Sequence, residues 1–161
     1  KILMDDNTIE FLFIGEGPEK ARIVYLAESK ELRNATFMGW CSQAELVEHI
    51  GTADVCLGAF GSTPQSLMTV QNKIYECMAC GKAIITGTSP TVLSQFTNEV
   101  ELKICERDGK SIAEAILYLK EHPTVINAIG SNARESFIGN YSINALGRTF
   151  RSHLDNLIQC K

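Results

Sequence analysis

Short apolar runs alternate along this chain with longer segments of helical periodicity, and this alternation limits the fold more than any other feature. The runs are five to seven residues long, rich in β-branched or aromatic residues, and bounded by turn residues, as strands are. Strands that alternate with helices form a parallel sheet with helices on both faces. The sequence therefore predicts a parallel α/β fold. Its strands are predicted at residues 9–15, 35–40, 54–60, 83–87 and 100–105.

The remaining segments carry helix and loop signals. Ser42 and Glu45 have the spacing of a capping box, and Gly81 is placed to end a helix that Asn72 begins. Residues 61–71 are predicted to form a polar loop. Because ligands bind beyond the carboxyl ends of parallel strands, one ligand-binding rim is expected. Its loops are 15–18, 38–42, 60–72 and 87–91.

The composition fits an ordinary globular protein of one domain, with 161 residues, 45% of them hydrophobic and 21% charged. Lys and Arg are scattered, so no basic stripe indicates nucleic-acid binding. No apolar run approaches the roughly 18 residues of a membrane span, and the start does not have the pattern of a secretory signal. The six cysteines are interpreted as buried free thiols in a reducing compartment, which predicts a cytoplasmic protein.

The helix expected from Asn72 has a polar face that can bind a ligand. Free backbone N–H groups at a helix N-terminus favour an anion, and Lys73 adds positive charge. Glu76, one turn further on, can accept hydrogen bonds from sugar hydroxyls. The pattern suits a phosphorylated sugar or a nucleotide, and the alternative is a solvent-exposed Lys73–Glu76 ion pair. Spacing alone leaves both open.

Other chemistry-bearing residues have simpler alternatives. The Cys77-x-x-Cys80 pair is interpreted as packing, because it lies in the C-terminal half of its helix, where a thiolate is not stabilised. No second Cys or His pair stands at zinc spacing, so no metal is predicted. Trp40 either stacks on a base or is a half-buried aromatic. The glycines of the 15–18 turn suggest a phosphate loop or a simple strand-ending turn.

Four segments in this order resemble the C-terminal half of the group 1 retaining glycosyltransferases. They are FIGEGP at 13–18, FMGW at 37–40, the strand start at 53–55 and NKIYECMACGKAII at 72–85. The resemblance covers nearly the whole chain. It implies the GT-B fold, in which the active site lies between two Rossmann-like domains. Residues 1–161 are then expected to be a single Rossmann-like domain that binds a nucleotide-sugar donor.

The resemblance also implies roles for individual residues. Met38, Gly39 and Trp40 match the segment beside the nucleotide base, and Gly15 and Gly17 match a glycine-rich turn at the first rim loop.

For the helix at 72–80, the resemblance implies contacts with the rest of the donor. Glu76 matches the acid that binds the donor ribose, and the backbone amides around Asn72 and Lys73 match those that hold the diphosphate. Many members carry a second acid eight residues earlier, near the donor sugar, where this chain has Met68. Gln71, Thr69 and Ser66 are nearby, and a shifted loop would bring one of these polar residues to the sugar.

A second departure concerns the start of the family's donor domain, a strand followed by a basic pair that neutralises the diphosphate. This chain begins after both, so it is expected to be a fragment that lacks the N-terminal acceptor domain. The full-length protein is expected to transfer a hexose from UDP- or GDP-sugar to a glycan or lipid-linked acceptor in polysaccharide biosynthesis. That activity is expected without a metal and with peripheral membrane contact. The 161 residues alone are expected to be inactive.

Three alternatives remain beside this interpretation. A non-catalytic nucleotide-binding or scaffold module of the same fold is favoured by Met68 at the position of the missing acid. A sugar-nucleotide epimerase calls for paired acids and a histidine on the rim, which the sequence does not offer. A flavodoxin-like receiver domain calls for an acidic pocket at the strand ends, whereas this rim has Gly, Thr, Asn and Lys.

Overall fold

The computed structural model describes residues 2–159, and the chain divides into two compact units at residues 1–49 and 50–161. Both units consist of parallel strands connected by helices, so the predicted parallel α/β fold is confirmed. All five predicted strands are present, but they form two hydrogen-bonded sheets, one of two strands and one of three. Spacing along the chain predicts that strands exist, and it does not specify which of them pair.

The first unit is built on two parallel strands and their helices. Its elements are β1 (Phe11–Ile14), α1 (Lys20–Ser29), β2 (Ala35–Met38) and α2 (Gln43–Thr52), which begins in this unit. The rings of Phe13 and Phe37 stack across the strand pair with centroids 5.0 Å apart. The predicted capping box is confirmed: Ser42 N donates to Glu45 Oε2 at 2.7 Å, and Glu45 N donates to Ser42 Oγ at 3.3 Å.

The second unit has a three-stranded sheet with β4 in the centre, paired in parallel with β3 and β5. Every residue of β4, including the polar Thr86, is buried, as expected for a central parallel strand. The elements are β3 (Val55–Leu57), α3 (Pro64–Met68), α4 (Asn72–Ala79), β4 (Ala83–Gly87), α5 (Pro90–Gln95), β5 (Lys103–Cys105), α6 (Gly109–Glu121), α7 (Pro123–Ser136), a π-helical turn (Phe137–Tyr141) and α8 (Ile143–Gln159).

Helices cover both faces of this sheet, as predicted. Successive residues of a strand point to opposite faces, so Ile84 lies on one face and Ile85 on the other. The two residues belong to separate buried clusters. The cluster around Ile84 includes side chains of α4 and α5, and the cluster around Ile85 includes side chains of α6. Helix α7 contributes to both, through Ala133 and Ile129 respectively.

Helix α4 has the two faces that its sequence predicts and ends at the predicted glycine. Ile74 and Met78 are fully buried, and Cys77 is nearly so. Gly81 adopts a φ of 70°, a conformation that favours glycine. Its N–H donates to Met78 O at 2.9 Å, and Lys82 N–H donates to Cys77 O at 3.1 Å, the two bonds of a Schellman motif.

Two predictions about local structure need correction. The segment 61–71 is not wholly a loop, because it contains α3, which Thr63 caps by accepting a hydrogen bond from Ser66 N at 3.2 Å. A helix of five residues is too short to show apolar periodicity, although Thr63-Pro64 is a recognisable start signal. The last strand begins at Lys103 rather than at 100. A turn precedes it, with Glu99 at a φ of 61°.

The cysteines are less buried than predicted. The five described cysteines are free thiols, of which Cys56 and Cys77 are buried and Cys41, Cys80 and Cys105 are partly exposed; Cys160 lies outside the described residues. A hydrogen bond with the Cys56 thiol, together with burial, raises the pKa of Cys77. An unreactive, hydrophobic Cys77 agrees with the packing role predicted for it.

Helix α8 is strongly amphipathic and carries large apolar side chains that solvent reaches. They are Ile143, Leu146, Phe150, Leu154, Leu157 and Ile158. Within residues 2–159, no helix has both the length and the apolar character that crossing a membrane demands.

Candidate functional site

In the first unit, the loops after β1 and β2 meet at the carboxyl ends of the strands. Gly15 N donates to Gly39 O at 3.2 Å, and Gly15 has a φ of 138°, which favours glycine. The Lys20 ammonium donates to Glu16 Oε1 at 2.6 Å and to Met38 O at 3.1 Å. These bonds hold the predicted site residues Gly15, Met38 and Gly39 together. Gly17 lies in the same turn and accepts a hydrogen bond from Lys20 N at 3.1 Å.

Trp40 projects into solvent from the end of this strand pair. It is 79% exposed, so the half-buried alternative is wrong. An indole that exposes so much apolar area is available to stack on a planar ligand.

In the second unit, the N-terminus of α4 presents unoccupied hydrogen-bond donors. Its N-cap is Gln71, whose side chain makes no capping hydrogen bond. The first N–H groups of a helix have no partner within it, and a cap normally satisfies one of them. Helices α3, α5 and α6 are capped in that way by Thr63, Ser89 and Asp108. The amides at Asn72 and Lys73 are therefore not satisfied by a side-chain cap.

The side chain of Gln71 is engaged elsewhere. Its amide nitrogen donates to Ser66 O at 3.3 Å and to Thr69 O at 3.2 Å, and the Thr69 hydroxyl donates to Gln65 O at 2.8 Å. These bonds hold residues 65–71 in a compact conformation immediately before α4. Gln71 and Thr69 thus determine the conformation of the chain just before α4. The Thr69 side chain remains exposed.

Lys73 and Glu76 are both exposed on the polar face of α4. Among the salt bridges of residues 2–159, none joins the two side chains, so the alternative of an ion pair is not observed. Although Lys73 reaches solvent, desolvation by the surrounding protein lowers the pKa of its ammonium. A bound anion would offset that cost, because an opposite charge favours the protonated form.

Met68 occupies the position of the acid that the resemblance leads one to expect. It is the last residue of α3 and is 74% exposed, eight residues before Glu76. A side chain so exposed contributes little to the core.

Arg107 is a feature of this rim that the sequence did not reveal. It follows β5, is half-buried, and donates to Thr88 O at 2.6 Å, to Gly87 O at 3.3 Å and to the Ser66 hydroxyl at 3.3 Å. It also donates to Gly61 O. Together with the bond from the Thr91 hydroxyl to Leu67 O at 3.1 Å, these contacts bring the loops after β3 and β4 together.

In the part of the chain that the structure describes, no group of three His, Cys, Asp or Glu side chains is arranged to hold a metal ion. In the second unit, the candidate residues are the backbone amides at the start of α4, Lys73, Glu76 and the polar residues of the preceding loop.

The chain is similar in fold to solved structures of glycosyltransferases. The chain is similar to HepE from Anabaena in complex with UDP-glucose, with a TM-score of 0.76 and 15% identity over 96% of this chain and 44% of that one. It is also similar to sucrose-phosphate synthase from Thermosynechococcus elongatus, with a TM-score of 0.75 and 21% identity over 93% and 39% of the two chains. A glycosyltransferase from Rickettsia africae gives a TM-score of 0.78 and 18% identity over 99% and 43%. The chain therefore has the fold of the GT-B glycosyltransferases.

The family follows from the sequence match. Residues 1–122 match the model of the glycosyl transferases group 1 family, and the chain belongs to that family. No curated protein sequence matched the chain. The chain spans less than half the length of each of the three solved structures named above.

Proposed function

We propose that this chain is the donor-binding, C-terminal half of a retaining glycosyltransferase. The donor is a UDP- or GDP-sugar, and the whole protein transfers its hexose to a glycan or lipid-linked acceptor. The family membership supports a glycosyltransferase, and the resemblance of residues 72–85 to the retaining enzymes supports the mechanism and the placement in the C-terminal half. The Anabaena structures, which contain UDP and UDP-glucose, support the donor class.

The observation that carries this proposal is the uncapped N-terminus of α4. Backbone N–H groups at a helix N-terminus bind phosphate oxygens, and the helix dipole favours their negative charge. Lys73 adds a full positive charge at the first turn. Glu76, one turn further along the same exposed face, accepts hydrogen bonds from the ribose hydroxyls.

The same groups assist bond cleavage in the proposed transfer. As the bond between the sugar and the diphosphate breaks, negative charge develops on the departing phosphate oxygen. Fixed donors that already point at this oxygen stabilise the charge without reorganisation. The amides of Asn72 and Lys73 and the Lys73 ammonium would serve this purpose, and no metal is required for it.

Binding of the acceptor is not assigned to residues 1–161 in this proposal. We propose that a second domain of the full-length protein binds the acceptor and makes peripheral membrane contact when the acceptor is lipid-linked. The full-length protein is proposed to be cytoplasmic and to act in polysaccharide biosynthesis.

Nucleotide binding is tested by thermal unfolding of the 161-residue chain. UDP or GDP at about ten times its Kd is expected to raise the melting temperature by about 3–6 °C, because ligand bound to the folded state alone stabilises it. Uridine and guanosine, which lack the diphosphate, serve as matched controls and are expected to give a much smaller rise. An unchanged melting temperature with both UDP and GDP at millimolar concentration would count against the proposal.

A second candidate function is a non-catalytic nucleotide-binding or scaffold module. The exposed Met68 favours it, because an acid is expected at that position in the active family members. A pure scaffold predicts no thermal shift with either nucleotide. A non-catalytic binding module predicts the shift together with absent sugar transfer by the full-length protein.

A further inference from the structure

We propose that Arg107 is a positioning residue that fixes the segment 58–71, which leads from β3 into α4. The proposal rests on the proposed function, since this segment sets the entry to the helix assigned to the donor. It assigns to Arg107 no contact with the donor itself.

The guanidinium of Arg107 joins chain segments that lie far apart in sequence. Nε donates to Thr88 O at 2.6 Å, and one terminal nitrogen donates to Gly87 O at 3.3 Å. The other terminal nitrogen donates to Gly61 O and to Ser66 Oγ, the latter at 3.3 Å. One planar group thus links the loop after β5 to the end of β4 and to the segment after β3.

These acceptors need a donor that the sheet does not provide. The carbonyls of Gly61 and Thr88 lie beyond the ends of their strands, where no neighbouring strand offers an N–H. The bond to Thr88 O is part-buried, and an unpaired carbonyl there would cost free energy. Arginine offers five N–H donors in a fixed plane. Lysine has only one nitrogen and cannot span acceptors so arranged.

The contact is transmitted to α4 through Ser66. Arg107 donates to the Ser66 hydroxyl, and Ser66 O accepts a hydrogen bond from the side chain of Gln71, the N-cap of α4, at 3.3 Å. Fixing Ser66 therefore fixes the residue that precedes the exposed amides at Asn72 and Lys73.

Two further observations support this role: the neutral partners of Arg107 and the space for its side chain at Gly87. None of the salt bridges found between residues 2 and 159 involves Arg107, so its partners are neutral oxygens. The fold also leaves room for its stem, because a Cβ on Gly87 would lie 2.6 Å from Arg107 Cγ. Gly87 therefore permits the arginine to cross the end of β4.

The test compares Arg107→Ala and Arg107→Lys with the wild-type chain, with Arg151→Ala on exposed α8 as a charge-matched control. Hydrogen exchange without nucleotide measures the order of residues 58–71, and calorimetry measures the Kd for UDP and GDP. In Arg107→Ala, amides in 58–71 are expected to exchange about tenfold faster or more, and the nucleotide Kd to rise about tenfold, because several charge-assisted hydrogen bonds are lost. Arg107→Lys should follow the same direction, and Arg151→Ala should match the wild type.

If the amides of residues 58–71 in Arg107→Lys exchange at the wild-type rate, the proposal is overturned. A positive charge at position 107 would then be enough to order the segment, without the guanidinium's several hydrogen bonds. If Arg107→Ala does not fold, the exchange rates and nucleotide Kd of Arg107→Lys still test the proposal. Faster exchange with an unchanged Kd would overturn the link from the segment to the donor. Should the wild-type chain bind neither nucleotide, the proposed function fails, while the nucleotide-free exchange still reports on Arg107.

Discussion

Gly130→Ala is expected to lower the free energy of unfolding by about 1–3 kcal/mol, the usual cost of overpacking a close contact. Gly130 lies in α7, where an added Cβ would stand 2.4 Å from Gly81 O and 3.2 Å from Gly81 C. Both are backbone atoms, and Gly81 is fixed by the Schellman motif that ends α4. Because neither partner can rotate away, α7 must move off the turn before β4.

Gly147→Ala is the matched control for this substitution. Gly147 lies inside α8, and a Cβ there would meet no atom within 4 Å. Both substitutions gain the helix propensity of alanine, about 1 kcal/mol, so Gly147→Ala should stabilise the chain or leave it unchanged. Urea unfolding of the two variants isolates the cost of the contact with Gly81. Equal stability changes at both positions would contradict the close packing of α7 on this turn.

Glu76→Ala is expected to abolish the rise in melting temperature that UDP or GDP produces. A carboxylate that accepts hydrogen bonds from two hydroxyls contributes charge-assisted bonds, and its loss typically weakens binding by about tenfold to a hundredfold. The unliganded chain should keep its stability within about 0.5 kcal/mol, because Glu76 is exposed and its replacement creates no cavity.

Glu135→Ala removes the same charge at an exposed position of α7 and should leave the nucleotide response intact. Comparing the two variants by thermal unfolding and calorimetry separates a local contact from a general change in net charge. A Glu76→Ala chain that binds UDP and GDP as tightly as the Glu135→Ala chain would exclude Glu76 from the donor site.

Much of the fold can be predicted from the sequence, because burial leaves a local pattern. The strand β4 is predicted from the mostly apolar, β-branched run at 83–87 and is found with these bounds. Helix α4 shows its buried face at Ile74, Cys77 and Met78, and its end at Gly81. The pairing of the five strands into two sheets has no such local pattern, since hydrogen bonding between strands depends on the whole chain.

The same distinction applies to the candidate site. The exposed face with Lys73 and Glu76 follows from helical spacing over a few residues. Arg107 could not be found in this way, because its acceptors Gly61 and Ser66 lie 46 and 41 positions away in sequence. A single arginine after a strand resembles any surface arginine until the tertiary fold brings its acceptors together.

The strand order of the second unit bears on how its sheet assembles. The strands β3, β4 and β5 are neighbours in the sheet in the same order in which they follow one another along the chain. Val55 pairs with Ala83 and Ile85 with Lys103, so each pairing closes a short stretch of chain. The entropic cost of closing such a loop is therefore small. No strand of this sheet has to wait for a later one to be inserted between existing partners. The sheet can therefore grow strand by strand in the direction of synthesis.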